Sequence, residues 1–157
     1  MDGPRNGMES NLLPLEVLLV EDSPGDVRLT RDAFTDTNDR VNLTVAVDGA
    51  EAMAFLRKEG AYVDAPDPDL ILLDLNLPKI DGREVLAAIK ADEILRSIPT
   101  IILTTSAAES DIVKSYELQA NAYLRKPVQL DAFDNLIRSI SDFWLTKVKL
   151  PRQGGRS

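Results

Sequence analysis

Neither cysteine nor histidine occurs anywhere in the 157 residues. Disulfides, thiolate metal sites, imidazole ligands and histidine-based acid–base chemistry are therefore excluded within the chain. Basic charge is also in deficit: 18 Lys and Arg stand against 26 Asp and Glu, a net charge of -8. A surface that binds nucleic acid normally carries a basic patch, so nucleic acid is not an expected partner. No apolar run approaches membrane-spanning length, and Met1 to Ser10 lack the apolar segment of a signal peptide. The default expectation is a cytoplasmic protein with no membrane partner. Site chemistry must rest on Asp, Glu, Ser, Thr, Tyr, Lys, Arg or the backbone.

What is present fits one domain with a full core, since 44% of the residues are hydrophobic and 28% charged. Residues 1–13 read as a flexible polar arm, with Gly3, Pro4 and Gly7 working against regular structure. Residues 14–147 form the expected domain, and residues 148–157 a loose tail. Between the arms, apolar runs alternate with helical patterns. Val17–Val20, Leu70–Leu73 and Ile101–Leu103 are near-continuously apolar, as strands covered on both faces are. Leu43–Val47 and Ala122–Leu124 are weaker strand candidates nearer a sheet edge.

Helices are expected from Ser23 to about Phe34, over Gly49–Lys58, Arg83–Ala91 and Ser110–Gln119, and from Gln129 to Thr146. The first opens on an N-cap serine, Pro24 and an acid, Asp26, three residues after the cap. The fourth carries Ile112, Val113 and Tyr116 on one face. The last has a wide apolar stripe ending in Phe143 and Trp144. Those two residues are a candidate interface, with core burial the competing reading.

Strands alternating with helices imply an α/β, doubly wound, parallel sheet with right-handed crossovers. In the five-stranded order 2-1-3-4-5, the ligand crevice lies where the carboxyl ends of strands one and three meet. Glu21, Asp22 and Asp74 directly follow those strands. A lone acid after a strand is ordinarily a turn former or helix cap. Three acids converging on one crevice are another matter, because each raises the others' pKa unless a cation offsets them. Oxygen ligands without imidazole or thiolate suit Mg²⁺, which favours octahedral oxygen ligation and retains waters. A carboxylate beside such a metal can act as a nucleophile. At the same edge, the fourth strand ends in Thr104-Thr105-Ser106 and the fifth is followed by Lys126-Pro127. Lys126 can reach into the acidic crevice, Pro127 restricts the residue before it, and a cis bond is open to that proline.

Four stretches carry a family resemblance: Leu18-Leu19-Val20-Glu21-Asp22-Ser23; Leu72-Leu73-Asp74-Leu75-Asn76-Leu77-Pro78 with Asp81-Gly82; Thr104-Thr105-Ser106; and Tyr123-Leu124-Arg125-Lys126-Pro127. In this order they resemble the receiver domains of two-component response regulators, over residues 15–146. The resemblance implies the flavodoxin-like receiver fold of single-domain, chemotaxis-type regulators. It implies that a partner histidine kinase phosphorylates Asp74. Glu21 and Asp22 would help bind Mg²⁺, Asp22 in preference as direct ligand, with Asp74 and the backbone carbonyl of Asn76. Lys126 would pair with the phosphoryl group, Thr104 would be the switch hydroxyl in preference to Thr105, and Tyr123 the aromatic that moves with it. Ser106 and Asn76 would flank the path of attacking water. Such a chain is a phosphoacceptor with Mg-dependent self-catalysed phosphorylation and dephosphorylation, not an enzyme acting on other substrates.

The connection 57–68, the segment 81–86 and Asp142-Phe143-Trp144-Leu145 narrow the resemblance. They look like stand-alone regulators paired with bacterial phytochromes. The implied partner is a red-light-sensing histidine kinase. With no output domain expected after residue 146, output falls to protein contacts, and a homodimer through helix four, strand five and helix five is expected.

Overall fold

The computed structural model describes residues 14–37 and 40–144. The two arms, and the expected continuation of the last helix to Thr146, lie outside those residues. The apolar runs become five parallel strands: β1 (Leu15–Val20), β2 (Val41–Ala46), β3 (Leu70–Leu73), β4 (Thr100–Thr104) and β5 (Ala122–Arg125). They are ordered β2-β1-β3-β4-β5. Between and after them run α1 (Pro24–Thr37), α2 (Gly49–Arg57), α3 (Gly82–Ala91), α4 (Glu109–Glu117) and α5 (Leu130–Asp142). Short 3₁₀ turns at Gly60–Tyr62 and Leu95–Ser97 have no counterpart in the sequence reading.

Successive strand residues point to opposite faces, and the core divides accordingly. On one face Leu18, Val20, Ile71 and Leu73 pack with Ala52 and Leu56 of α2 and Val85, Leu86 and Ile89 of α3. On the other, Val17, Leu19, Leu70, Leu72 and Ile101 meet Phe34 of α1 and Phe133, Ile137 and Ile140 of α5. Helix α4 departs from this pattern. Its apolar face is largely uncovered, with Val113 50% and Tyr116 51% exposed. The wide stripe of α5 is split in the same way: Phe143 is 54% exposed, whereas Trp144 packs partly against the core. No helix among the described residues is long and apolar enough to cross a membrane.

Register decides what meets at the carboxyl edge. Val20 lies opposite Leu73, so Glu21 and Asp74 leave the sheet side by side. The Asp74 amide donates to the Val20 carbonyl at 3.1 Å. Leu73 pairs with Ile102, and Thr104 with Arg125, which brings the end of β4 and Lys126 to the same edge. The Lys126 amide then donates to the Thr104 carbonyl at 2.7 Å.

The loop carrying Asp74 is closed by Gly82. Its amide donates to the Leu75 carbonyl at 2.9 Å. A Cβ on Gly82 would lie 2.2 Å from the Asp74 carbonyl oxygen and 2.5 Å from the Leu75 Cα. Those obstacles are backbone and cannot rotate away. Gly82→Ala is therefore expected to cost about 1–3 kcal/mol of stability, the usual range for overpacking. Urea unfolding measures this, and an unchanged midpoint would show that the loop accommodates a methyl group.

Candidate functional site

Asp74 and Glu21 are almost completely buried, whereas Asp22 is exposed at the mouth of the crevice. One ligand oxygen from each of the three lies within 4.8 Å of the others. Strand pairing does this: two buried strands end in register, and the first residues past their ends are acids. Lys126 is also buried, and its ammonium reaches into the cluster. It donates most closely to Glu21 Oε1, to Asp26 Oδ2 at 2.9 Å and to Asp74 Oδ2 at 3.3 Å.

Burial raises the Glu21 carboxyl above its ordinary pKa, with the charge of Asp74 adding to the rise and Lys126 opposing it. For Lys126, burial works against the charged form. Its bonds to Glu21 and Asp26 outweigh that, holding the ammonium above the usual lysine range. One ammonium faces four carboxylates: Glu21, Asp22, Asp26 and Asp74. That excess of negative charge, offered by oxygen donors with no imidazole or thiolate nearby, fits a divalent cation.

Asn76 is exposed, and its amide donates to Asp74 Oδ1 at 3.3 Å. Thr104 is fully buried at the end of β4, and its Oγ1 accepts from the Ser106 amide at 3.4 Å. Thr105 is exposed and lines a cleft with Asp26, Lys126, Pro127 and Phe133. Tyr123 is half-buried on β5, its hydroxyl donating to the Ser106 carbonyl at 2.9 Å. The structure thus brings together Glu21, Asp22, Asp74, the Asn76 backbone, Thr104 and Lys126. Phe143 and Trp144 sit apart, at the end of α5, with ring centroids 6.0 Å from each other. There is no cis peptide bond among the described residues, so Pro127 restricts Lys126 through its ring alone.

Three contributors were missed in the sequence. Asp26 fits the pattern of a capping acid, but its carboxylate turns to Lys126 instead. An ammonium offers a stronger, charge-assisted bond than a backbone amide does. Glu21 Oε2 takes the amide of Ser23 at 3.1 Å, while Ser23 Oγ still accepts from the Asp26 amide at 3.3 Å. Arg83 and Asp111 are the other two. Arg83 donates to both carboxylate oxygens of Asp111, at 2.7 and 2.6 Å. It also donates to Asp81 and, at 3.3 Å, to the Leu75 carbonyl next to Asp74. The Arg83 guanidinium, with help from the Ser106 hydroxyl, lowers the Asp111 carboxyl to about 2. A pair separated by 28 residues on two helices has no sequence signal, and Asp26 reads locally as a capping acid.

The family model described as the response regulator receiver domain matches residues 17–138. The chain is 48% identical over 138 residues to the response regulator Rcp1 of Synechocystis sp., covering 88% of this chain and 94% of that protein. It is similar to the crystal structure of the phosphorylated cyanobacterial phytochrome response regulator RcpA. That likeness has a TM-score of 0.87 and 46% identity, over 88% of this chain and 99% of the other. The Mn²⁺-bound form of Rcp1 matches with a TM-score of 0.86 and 47% identity, covering 88% and 100% of the two chains.

Proposed function

Because this chain belongs to the response regulator receiver family, and so is a phosphoacceptor of two-component signalling, we propose that Asp74 is its accepting residue. The observation that carries this assignment is the placement of Lys126 Nζ 3.3 Å from Asp74 Oδ2, beside the cluster formed with Glu21 and Asp22. The donor is the phosphohistidine of a sensor kinase. An Asp74 carboxylate oxygen forms the new bond to phosphorus as the bond from phosphorus to the imidazole nitrogen breaks, the imidazole leaving with the electron pair.

Each neighbour has a role that follows from where it stands. Lys126 neutralises an equatorial oxygen of the transferring group, and Asp26 and Glu21 keep its ammonium aimed at the crevice. Asp22, Asp74 and the Asn76 carbonyl, with Glu21 behind them, hold Mg²⁺, which supplies positive charge to the phosphoryl oxygens when bound. Thr104 then turns from its own loop to the phosphoryl group, and Tyr123 moves into the space it leaves. Water reaching phosphorus past Asn76 and Ser106 returns the carboxylate, so loading and unloading are both reactions of this chain.

The kinase we assign is of the phytochrome class, supported by the likeness to RcpA. Output passes through the face formed by α4, β5 and α5, where exposed Val113, Tyr116 and Phe143 favour a homodimer.

Acetyl phosphate tests the chemistry. With Mg²⁺, uptake saturates at one phosphate per chain, and chelation abolishes it. Asp22→Ala raises the Mg²⁺ requirement by at least about tenfold, the minimum expected for a metal-site contact. Uptake that persisted without a divalent ion would contradict the assignment. Rapid multiple turnover would indicate a phosphatase instead.

A further inference from the structure

Gly49, the first residue of α2, lies against the loop that carries Asn76. Its amide donates to the Pro78 carbonyl at 3.4 Å, and a Cβ on it would lie 2.0 Å from the Ile80 carbonyl oxygen. Ordinary contact begins at 3.4 Å, so a methyl group there would drive the two segments more than an ångström apart. The helix is the side that cannot give. Ala52, Met53, Phe55 and Leu56 of α2 are buried. Its first turn is also tied down: Asp48 Oδ1 accepts the Glu51 amide at 2.7 Å, and Glu51 Oε1 accepts the Val47 amide at 2.8 Å. Glu51 is held in turn by the Tyr62 hydroxyl, at 2.6 Å, from the connection 57–68. The loop side is softer. Asn76, Pro78 and Lys79 are exposed, and Lys79 sits at φ 67°, a left-handed conformation that side chains rarely adopt.

We infer that Gly49 is a positioning residue for the divalent cation: its bare α-carbon lets loop 76–80 lie against α2 and so sets where the Asn76 carbonyl stands. The inference rests on the metal role proposed above for Glu21, Asp22, Asp74 and that carbonyl. The three carboxylates can follow an ion by rotating their side chains. A backbone carbonyl has no such freedom and goes where its loop goes. At the loop's other end, Gly82 is packed against the backbone of Asp74 and Leu75. A displacement at Ile80 therefore has little room to spread toward α3 and passes back toward Asn76. The ion pair from Lys79 to Asp48, at 3.4 Å with Lys79 69% exposed, adds little to this restraint. Close backbone packing, rather than charge, holds the loop.

Titration of the full chain with Mn²⁺, the free ion counted by electron paramagnetic resonance, tests this without any phosphoryl transfer. Gly49→Ala is expected to bind Mn²⁺ about tenfold more weakly than the parent, the low end for a residue that orients a metal ligand. Gly25→Ala, in the first turn of α1, meets nothing within 4 Å and should bind as the parent does. Ile137→Val, in the core under the opposite face of the sheet, lowers stability without touching the loop and should also keep the parent affinity. A merely structural glycine would lower the urea midpoint of Gly49→Ala and leave Mn²⁺ affinity alone. If Gly49→Ala does not fold, Lys79 supplies the same test. Lys79→Val forces a β-branched residue into a left-handed backbone and should bind more weakly than Lys79→Gly, since both lose the ammonium and only one strains the loop. Equal affinity in that pair, parent affinity in folded Gly49→Ala, or an equal loss in either control overturns the inference and leaves the phosphoacceptor reading intact. No Mn²⁺ binding by the parent, or binding that survives Asp22→Ala combined with Asp74→Asn, overturns the metal site and this inference with it.

Discussion

Asp74→Asn abolishes phosphate uptake from acetyl phosphate or a kinase while leaving the fold intact. The acceptor oxygen is lost as a nucleophile, since an amide has no ionised form to offer phosphorus, and a loss of many orders of magnitude follows. Stability moves in the opposite direction. Asp74 is buried against Glu21, and its charge helps to raise the Glu21 carboxyl above its ordinary value. Removing that charge relieves repulsion in a crevice where one ammonium faces four carboxylates. The metal-free variant should therefore unfold at a urea concentration equal to or above that of the parent. Intact mass and urea titration read the two effects separately. Uptake retained by the variant would mean that another carboxylate is the acceptor.

Lys126→Ala is expected to lose both function and stability. Its ammonium bonds Glu21, Asp26 and Asp74 at once, and both Lys126 and Glu21 are buried. Deleting one partner of a buried ion pair typically costs about 3–5 kcal/mol, because a charge is left without compensation. Glu21 can escape part of that cost by taking a proton. Burial already raises its pKa, and the loss of Lys126 removes the main opposing influence. Between the ordinary and the raised value, the folded variant binds more protons than the unfolded chain does. Stability therefore falls as pH rises through that window. The deficit relative to the parent should be larger at pH 8 than at pH 5, and Glu21→Gln in the same background should remove most of this difference. A deficit independent of pH would show that Glu21 is not the stranded charge. Phosphate uptake should fall strongly in Lys126→Ala, and any phosphate accepted should fail to move Tyr123.

The strands that build the site were legible because they are buried on both faces and are therefore continuous in apolar residues. Val17–Val20 and Leu70–Leu73 show this most clearly, and their order placed Glu21, Asp22 and Asp74 at one crevice. Boundaries were less legible. Val47 has the side chain of a strand residue, but its amide is bonded by Glu51 Oε1 at 2.8 Å, and the chain turns into α2 there. The helical periodicity of Ile112, Val113 and Tyr116 correctly gave a helix and said nothing of what covers it. That face is exposed because α4 packs on the rim of the sheet with only Ser115 buried. Side-chain partners across long separations were the least legible. Asp26 has the spacing of a capping acid, and nothing local shows that Lys126, 100 residues away, will claim it. The pairing of Arg83 with Asp111 depends on how α3 and α4 sit, which no local pattern encodes. Gly82 read as a turn residue; its closeness to the Asp74 and Leu75 backbone became visible with the loop in three dimensions.

Phosphorus is expected to end on the Asp74 carboxylate and on no other side chain. Reduction of the freshly phosphorylated full chain with borohydride converts an aspartyl phosphate to homoserine, and peptide mass mapping then reports its position. Homoserine at position 74, absent when Mg²⁺ is chelated before loading, is the expected result. Homoserine at any other aspartate, or phosphate retained on Thr104, Thr105 or Ser106 after reduction, would contradict it.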